Sequence, residues 1–398
     1  MVSLLMTVGT GHTNSETRRS SLSHGLAFAI DRHRPGQLVF FGSDQSKKTV
    51  KEIKEEFLEM TGKALPTYKF VEIHEIDSIT ACIRAMDEEV RAIKGRKQID
   101  YTSGTKTMTA AAAIVATLHH VPLYIVEADR GKDSNGISGT ERIREQTLFP
   151  VYDHILCEKA VREFNAYRFE SAIHTLKDTV VLEEKEKYLR IFEGYAAWDR
   201  FDHEGAFKIL GDLKDDRISM NKAFLGKLTR KNDLKQKAPM QLADLVANAQ
   251  RRIEERKYDD ATARLYRAVE LVAQIHLLNH GVDDISKNLR VDDLRTYLSA
   301  ADMEECHQKA KDNGALLLGV RDKYALLQKM GCANAWVEYE TVMGFLTKRN
   351  TSILAHGLTP VDREFVSGFY DRVLTLAKSA CGKLEFGKEL ENATFMKL

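Results

Sequence analysis

Phe345-Leu-Thr-Lys-Arg-Asn-Thr-Ser-Ile-Leu-Ala-His-Gly is the stretch of this chain whose residue types best suit proton transfer beside a phosphate. Arg349 and His356 stand seven residues apart, two turns of a helix, which predicts that both project from one face. An imidazole moves protons near neutral pH, and a guanidinium grips a phosphate with a fixed fork. Asn350 can orient either the substrate or the imidazole. Together the three could cleave RNA without a metal: the 2′-hydroxyl attacks its own phosphate, and the charge that develops there is stabilised. Spacing alone describes a solvated helix face equally well, since Arg18 and Arg19 precede His24, and Arg168 precedes His174, at similar distances. What distinguishes the later copy is its company: an apolar lead-in, Asn350 directly after Arg349, and Gly357 directly after His356.

A second kind of chemistry, anion binding, is written in two loops near the other end. Thr7-Val-Gly-Thr-Gly-His-Thr-Asn and Asp100-Tyr-Thr-Ser-Gly-Thr-Lys-Thr-Met are rich in glycine and hydroxyls, and each lies between an apolar run and a helical one. Glycine lets backbone N–H groups approach a phosphate, a helix N-terminus adds its dipole, and Lys106 adds a charge. The plainer reading is that Gly104 only turns the chain and Thr102 only caps a helix. Two such loops at corresponding strand ends favour a ligand. Neither fits the phosphate-loop pattern of NTPases, and Gly9 to Gly11 lacks the third glycine of a dinucleotide fingerprint. That shortfall counts against a nicotinamide-linked dehydrogenase, although Asp44 does follow the second strand.

These residues need elements to hold them. Strand-like runs at Val2 to Val8, Gln37 to Phe41, Tyr68 to Ile73, Gln98 to Tyr101 and Pro122 to Glu127 alternate with helical segments such as Thr49 to Met60 and Ile79 to Ile93. Leu38-Val-Phe-Phe and Leu123-Tyr-Ile-Val lack period-two alternation, as strands buried on both faces should. A turn at Asn135 to Gly139 then leads to Thr147-Leu-Phe-Pro, expected as a closing strand or hairpin arm. Beyond Tyr152 the strands stop. Ala166-Tyr-Arg-Phe-Glu-Ser-Ala, Ala197-Trp-Asp-Arg-Phe-Asp-His-Glu-Gly-Ala and Arg256-Lys-Tyr-Asp-Asp-Ala are loosely tetratricopeptide-like, with spacing too irregular for more than a helical spacer. Leu228 to Pro239 reads as a linker. Leu242 to Ile253, Ala261 to Asn279, Ala315 to Lys329 and Trp336 to Lys348 read as helices, with another starting at Pro360 and Asp362. The expected fold is therefore multi-domain, α/β followed by all-α. A Rossmann-like domain with a mostly parallel sheet spans 1–151, a helical spacer 152–238 and a helical bundle 239–398.

Composition narrows the setting. At 398 residues, 43% hydrophobic and 29% charged, the chain reads as globular, with no apolar run long enough for a membrane span and no signal-peptide start. Five scattered cysteines form no pair or cluster with zinc spacing, which implies reduced thiols, a cytoplasmic home and no metal. A net charge of +1 means that any contact with RNA comes from a local patch.

Thr102-Ser-Gly-Thr-Lys after the fourth strand resembles the signature of CARF domains, the sensors of CRISPR-associated ancillary proteins. The Gly9-Thr10-Gly11 turn and Ser43-Asp44 after the second strand are similarly placed. Where the family commonly has two glycines before the threonine, this chain has Ser103-Gly104. Arg349-Asn350 followed by His356-Gly357 resembles the ribonuclease motif of HEPN domains. Arg264-Leu-Tyr-Arg-Ala-Val-Glu-Leu-Val-Ala-Gln looks like the packing helix of CARF–HEPN proteins, where Arg267 and Glu270 form an intrahelical pair or Glu270 orients the active site. The resemblance implies a dimeric, metal-independent endoribonuclease of type III CRISPR antiviral defence. It would cut single-stranded RNA with Arg349, Asn350 and His356. It would be switched on by a cyclic oligoadenylate of four or six units held by Gly9, Thr10, Gly11, Ser43, Asp44, Thr102, Ser103, Gly104, Thr105 and Lys106. Some CARF domains also degrade their activator, and Thr10 or Thr105 could position that attack. The alternative is a nucleotide-sensing regulator whose helical domain binds a partner.

Overall fold

The computed structural model describes residues 2–10, 16–129, 137, 139–230, 233–282 and 289–398, with the backbone alone for 16–21. The chain divides into two compact units, 1–155 with 180–182, and 156–179 with 183–398.

The first unit runs β1 Val2–Thr7, α1 Glu16–His33, β2 Gln37–Gly42, α2 Ser46–Thr61, β3 Tyr68–Glu72, α3 Ile79–Ala92, β4 Arg96–Asp100, α4 Lys106–Leu118, β5 Leu123–Glu127 and β6 Arg142–Gln146. Strand order is β3-β2-β1-β4-β5-β6, parallel except for β6, which runs antiparallel to β5. The unbroken apolar runs have the expected cause. Leu4, Met6, Leu38 and Phe40 pack on one face with Leu26, Ile30, Val50 and Ile53 from α1 and α2. Leu5, Val39, Phe41 and Ile99 pack on the other with Met86, Met108 and Val115 from α3 and α4. Both faces are covered, so both halves of the alternation are largely apolar. The strand order reverses between β1 and β4, which opens a crevice at their C-terminal ends. The expected closing arm lies earlier than the sequence suggested. β6 ends at Gln146, and the Thr147 hydroxyl accepts the Phe149 N–H at 3.1 Å to start α5, Phe149–Asn165. Pro150 falls in the first turn of that helix, where a missing N–H costs nothing. Most of the 135–139 turn lies outside the described residues.

The second unit continues with α6 Phe169–Lys177, α7 Lys185–Asp199, α8 His203–Leu210, α9 Ser219–Arg230, α10 Leu234–Glu254, α11 Tyr258–Asn279, α12 Ala300–Lys309, α13 Val320–Lys329, α14 Ala333–Glu340, α15 Met343–Arg349, α16 Arg363–Cys381 and α17 Lys383–Ala393. The three look-alike segments share one turn. Tyr167, Phe201 and Arg256 all have φ near +62° (61°, 63° and 62°). In each, the next N–H reaches the carbonyl five residues back: Arg168 to Glu163, Asp202 to Ala197, and Lys257 to Arg252. This is a Schellman stop made without glycine, followed at once by a new helix. Around it Phe164, Phe192, Tyr195, Trp198 and Phe395 form a buried aromatic core.

Some expected boundaries move. Leu228 to Pro239 is not a linker: α9 reaches Arg230, Asp233 caps α10 by accepting the Lys235 N–H at 2.9 Å, and Pro239 sits inside α10. The helix expected from Ala315 starts only at Val320, because Ala315 pairs with Arg290 as an isolated bridge. The run Trp336 to Lys348 breaks at Thr341 and Val342 into α14 and α15. Asp362 caps α16 as expected, accepting the Phe365 N–H at 2.8 Å. Among the described residues no helix is long and apolar enough to cross a membrane.

Candidate functional site

In the first unit, the loops after β1 and β4 meet at the strand-order reversal and are stitched to each other. Thr7 donates its hydroxyl to the Ser103 carbonyl, and the Ser103 hydroxyl accepts the Gly9 N–H at 2.9 Å. Ser103, standing where the family commonly has a glycine, is therefore the residue that ties the loops. A Cβ at Gly9 would lie 3.1 Å from the Gly104 nitrogen, and Gly104 itself has φ +119°. These two glycines permit the close approach of the two loops.

The hydroxyls expected to face a phosphate bond inward instead. The Thr102 hydroxyl accepts the Val126 N–H at 2.7 Å, and the Thr102 N–H donates to Asp100 Oδ1 at 3.0 Å. The Thr105 hydroxyl caps α4 by accepting the Met108 N–H at 3.2 Å and donates to the Ile76 carbonyl at 3.3 Å. A buried or half-buried loop must satisfy its own polar groups first, and these residues do so. Asp100, at the end of β4 beneath the loop, is fully buried, and its carboxyl is pushed up to about 6 by burial. After β2, Asp44 pairs with Lys47 at 2.8 Å, which lowers its pKa, and Lys47 also reaches Glu72 at 2.7 Å. Ser43 faces Ser46, hydroxyl to hydroxyl, at 3.3 Å. Half-exposed Thr10 lies on the β1 loop, and exposed Lys106 is the first residue of α4, at its positive end. Gly11 lies outside the described residues.

In the second unit the helix expected to carry both Arg349 and His356 stops at Arg349. The Thr351 hydroxyl takes the Lys348 carbonyl at 2.7 Å, a side-chain bond that competes with helix continuation. The chain then folds back through 351–356, so the two residues are joined by a compact turn rather than by one helical face. Arg349 Nη1 reaches Asn350 Oδ1 at 3.4 Å, Arg349 Nη2 reaches the Leu354 carbonyl at 3.4 Å, and the His356 N–H donates to the Asn350 carbonyl at 3.2 Å. Asn350 thus holds both partners, one by its side chain and one by its backbone. His356 and Asn350 are exposed and Arg349 is half-buried, so the set faces solvent. The return of the turn depends on Gly357, where a Cβ would stand 2.1 Å from the Thr351 oxygen. Gly357→Ala must push this loop apart and displace His356. Since a misplacement of about 1 Å can cost on the order of 10²-fold in rate, RNA cleavage is expected to fall at least about tenfold with the melting temperature nearly unchanged. Rate and melting curve on one preparation check this.

Sequence reasoning missed Tyr266. Its ring centroid lies 4.4 Å from the Arg349 Cζ, although it stands inside the segment quoted above for its charges. In that segment Arg267 and Glu270 form the expected intrahelical pair at 3.1 Å, with Lys323 at 4.0 Å from Glu270.

A Rossmann-like unit followed by a helical unit that carries an exposed Arg–Asn–His turn is the arrangement of a CARF–HEPN protein. Family models agree: residues 152–239 match the Csm6 6H domain and residues 230–380 the Csm6 HEPN domain. The chain belongs to the CRISPR-associated CARF–HEPN family, whose HEPN part is of the ribonuclease class. Among solved structures it is similar to Enterococcus italicus Csm6 bound to cyclic hexa-2′-fluoro-hexa-dAMP, with TM-score 0.69 and 14% identity over 99% of this chain and 98% of that one. Can2 from Sulfobacillus thermosulfidooxidans, in complex with cyclic tetra-adenylate, aligns with TM-score 0.25 and 10% identity over 88% of this chain and 69% of that one. The chain has no match among curated proteins.

Proposed function

We propose that the protein is a homodimeric endoribonuclease of type III CRISPR defence, switched on by cyclic oligoadenylate. The observation that carries this reading is the exposed Arg349–Asn350–His356 turn inside the stretch that matches the HEPN model. The 2′-oxygen of single-stranded RNA attacks the adjacent phosphorus as its proton leaves, and the bond from phosphorus to the 5′-oxygen breaks. His356 moves a proton at one of these oxygens, and Arg349 neutralises the charge on the phosphoryl oxygens. Asn350 keeps the two aligned. A second copy supplies the matching set for a composite cleft, and a two-fold axis suits a symmetric ring. Activation by the ring is a shift towards the competent state, which requires that state to hold the ring more tightly.

The chemistry is tested by cutting a labelled RNA with activator present in excess EDTA. Cleavage at the undiminished rate, leaving 2′,3′-cyclic phosphate and 5′-hydroxyl ends, is expected. Loss of activity rescued by magnesium would overturn the mechanism. Inertness towards RNA with every cyclic adenylate would favour the regulator reading instead.

A further inference from the structure

We propose that Tyr266 is a positioning residue for RNA cleavage: its ring face holds the Arg349 guanidinium in the plane from which it meets the phosphate. The proposal rests on the ribonuclease reading above. Arg349 is poorly fixed by hydrogen bonds. Its Nε is buried without a partner among the described residues, and its two terminal nitrogens reach oxygens only at 3.4 Å, where such bonds are weak. The better contact is with Tyr266, whose ring centroid lies 4.4 Å from the Arg349 Cζ, well within cation–π range. Tyr266 sits in the ninth position of α11, a 22-residue helix, so the platform is rigid while the turn it supports is not a helix. The neighbouring cation is held the same way: Lys348 Nζ lies 4.4 Å from the ring centroid of Phe365 on α16. The end of α15 is thus clamped between two aromatic faces from two other helices. The two 3.4 Å bonds are weak enough for a phosphate to displace, so a guanidinium held over the ring can turn its terminal N–H groups to a bidentate phosphate contact. The Tyr266 phenol, pushed up by burial, stays neutral, so the ring face keeps its attraction for a cation across the working range.

The test uses the full chain with saturating cyclic adenylate and a labelled RNA, measuring kcat, KM and melting temperature. Tyr266→Phe, which keeps the ring, is expected to retain kcat within about twofold. Tyr266→Leu and Tyr266→Met, which remove it, should each lower kcat about tenfold or more with KM and melting temperature little changed, since a correctly aimed Arg349 matters most in the transition state. Should one of these two fold poorly, the other decides. Wild-type kcat in a folded Leu or Met variant would overturn the proposal, as would a tenfold loss in a folded Phe variant. Arg349→Ala, run alongside, separates the two readings. If Arg349→Ala cuts at the wild-type rate, the site itself falls. If Arg349→Ala is inactive while the folded Leu and Met variants are unimpaired, the site stands and only the role of Tyr266 falls.

Discussion

Replacing Arg349 or His356 with alanine is expected to abolish RNA cleavage, by on the order of 10²-fold or more for each. One change removes the phosphate-stabilising charge and the other the proton carrier. The fold should survive both. His356 is exposed and spends only its backbone N–H on the turn, and Arg349 gives up two 3.4 Å bonds and a ring contact at a half-exposed position. Surface changes of this kind usually leave stability within about 1 kcal/mol. Activator binding, proposed for the other unit, should be unaltered. Cleavage rate, melting temperature and activator affinity measured on each variant check the expectation, and full activity in the double variant would remove the site.

Lys106→Ala is expected to raise the activator concentration needed for half-maximal cleavage tenfold or more. The reason is now narrower than the loop composition suggested. Thr102, Ser103 and Thr105 bond within the protein, whereas Lys106 is exposed at the N-terminus of α4. Removing a charge-assisted phosphate contact costs roughly 1.5–3 kcal/mol, which is about one to two decades of affinity. Maximal cleavage should recover at saturating activator, because the ligand acts only by favouring the competent state. Cleavage without activator should be unchanged. A titration with unaltered midpoint and normal stability would take Lys106 out of the activator site.

The sheet was legible because its strands are buried on both faces, and Leu38-Val-Phe-Phe and its neighbours carry that directly in their composition. The two polar loops were legible for the same reason: they interrupt apolar runs with glycine and hydroxyls at corresponding strand ends. What those hydroxyls do was not, since whether Thr102 faces a ligand or the Val126 N–H depends on where β5 lies, and spacing along one strand does not encode it. The residue types of Arg349, Asn350 and His356 are legible, but seven residues of separation suggest a continuous helix, whereas α15 ends at Arg349 and the chain folds back before His356. Gly357 was noticed beside His356 without its cause, the approach of its backbone to Thr351, which only the folded turn reveals. Tyr266 was overlooked because a tyrosine within an amphipathic helix signals packing, and its partner lies more than 80 residues along the chain. The supposed linker failed because a polar, basic stretch ending in proline also describes the exposed first turns of a helix, here capped by Asp233.

The central claim, that a ligand at the Rossmann-like unit switches on RNA cleavage by the helical one, is tested most directly by titrating cyclic tetra-adenylate and cyclic hexa-adenylate separately into the wild-type protein and Lys106→Ala with a labelled single-stranded RNA. A low basal rate is expected, with a saturable rise with at least one ring and a midpoint shifted upward by tenfold or more in Lys106→Ala at an unchanged plateau. A wild-type rate that is the same with and without either ring, at concentrations that demonstrably bind, would contradict it.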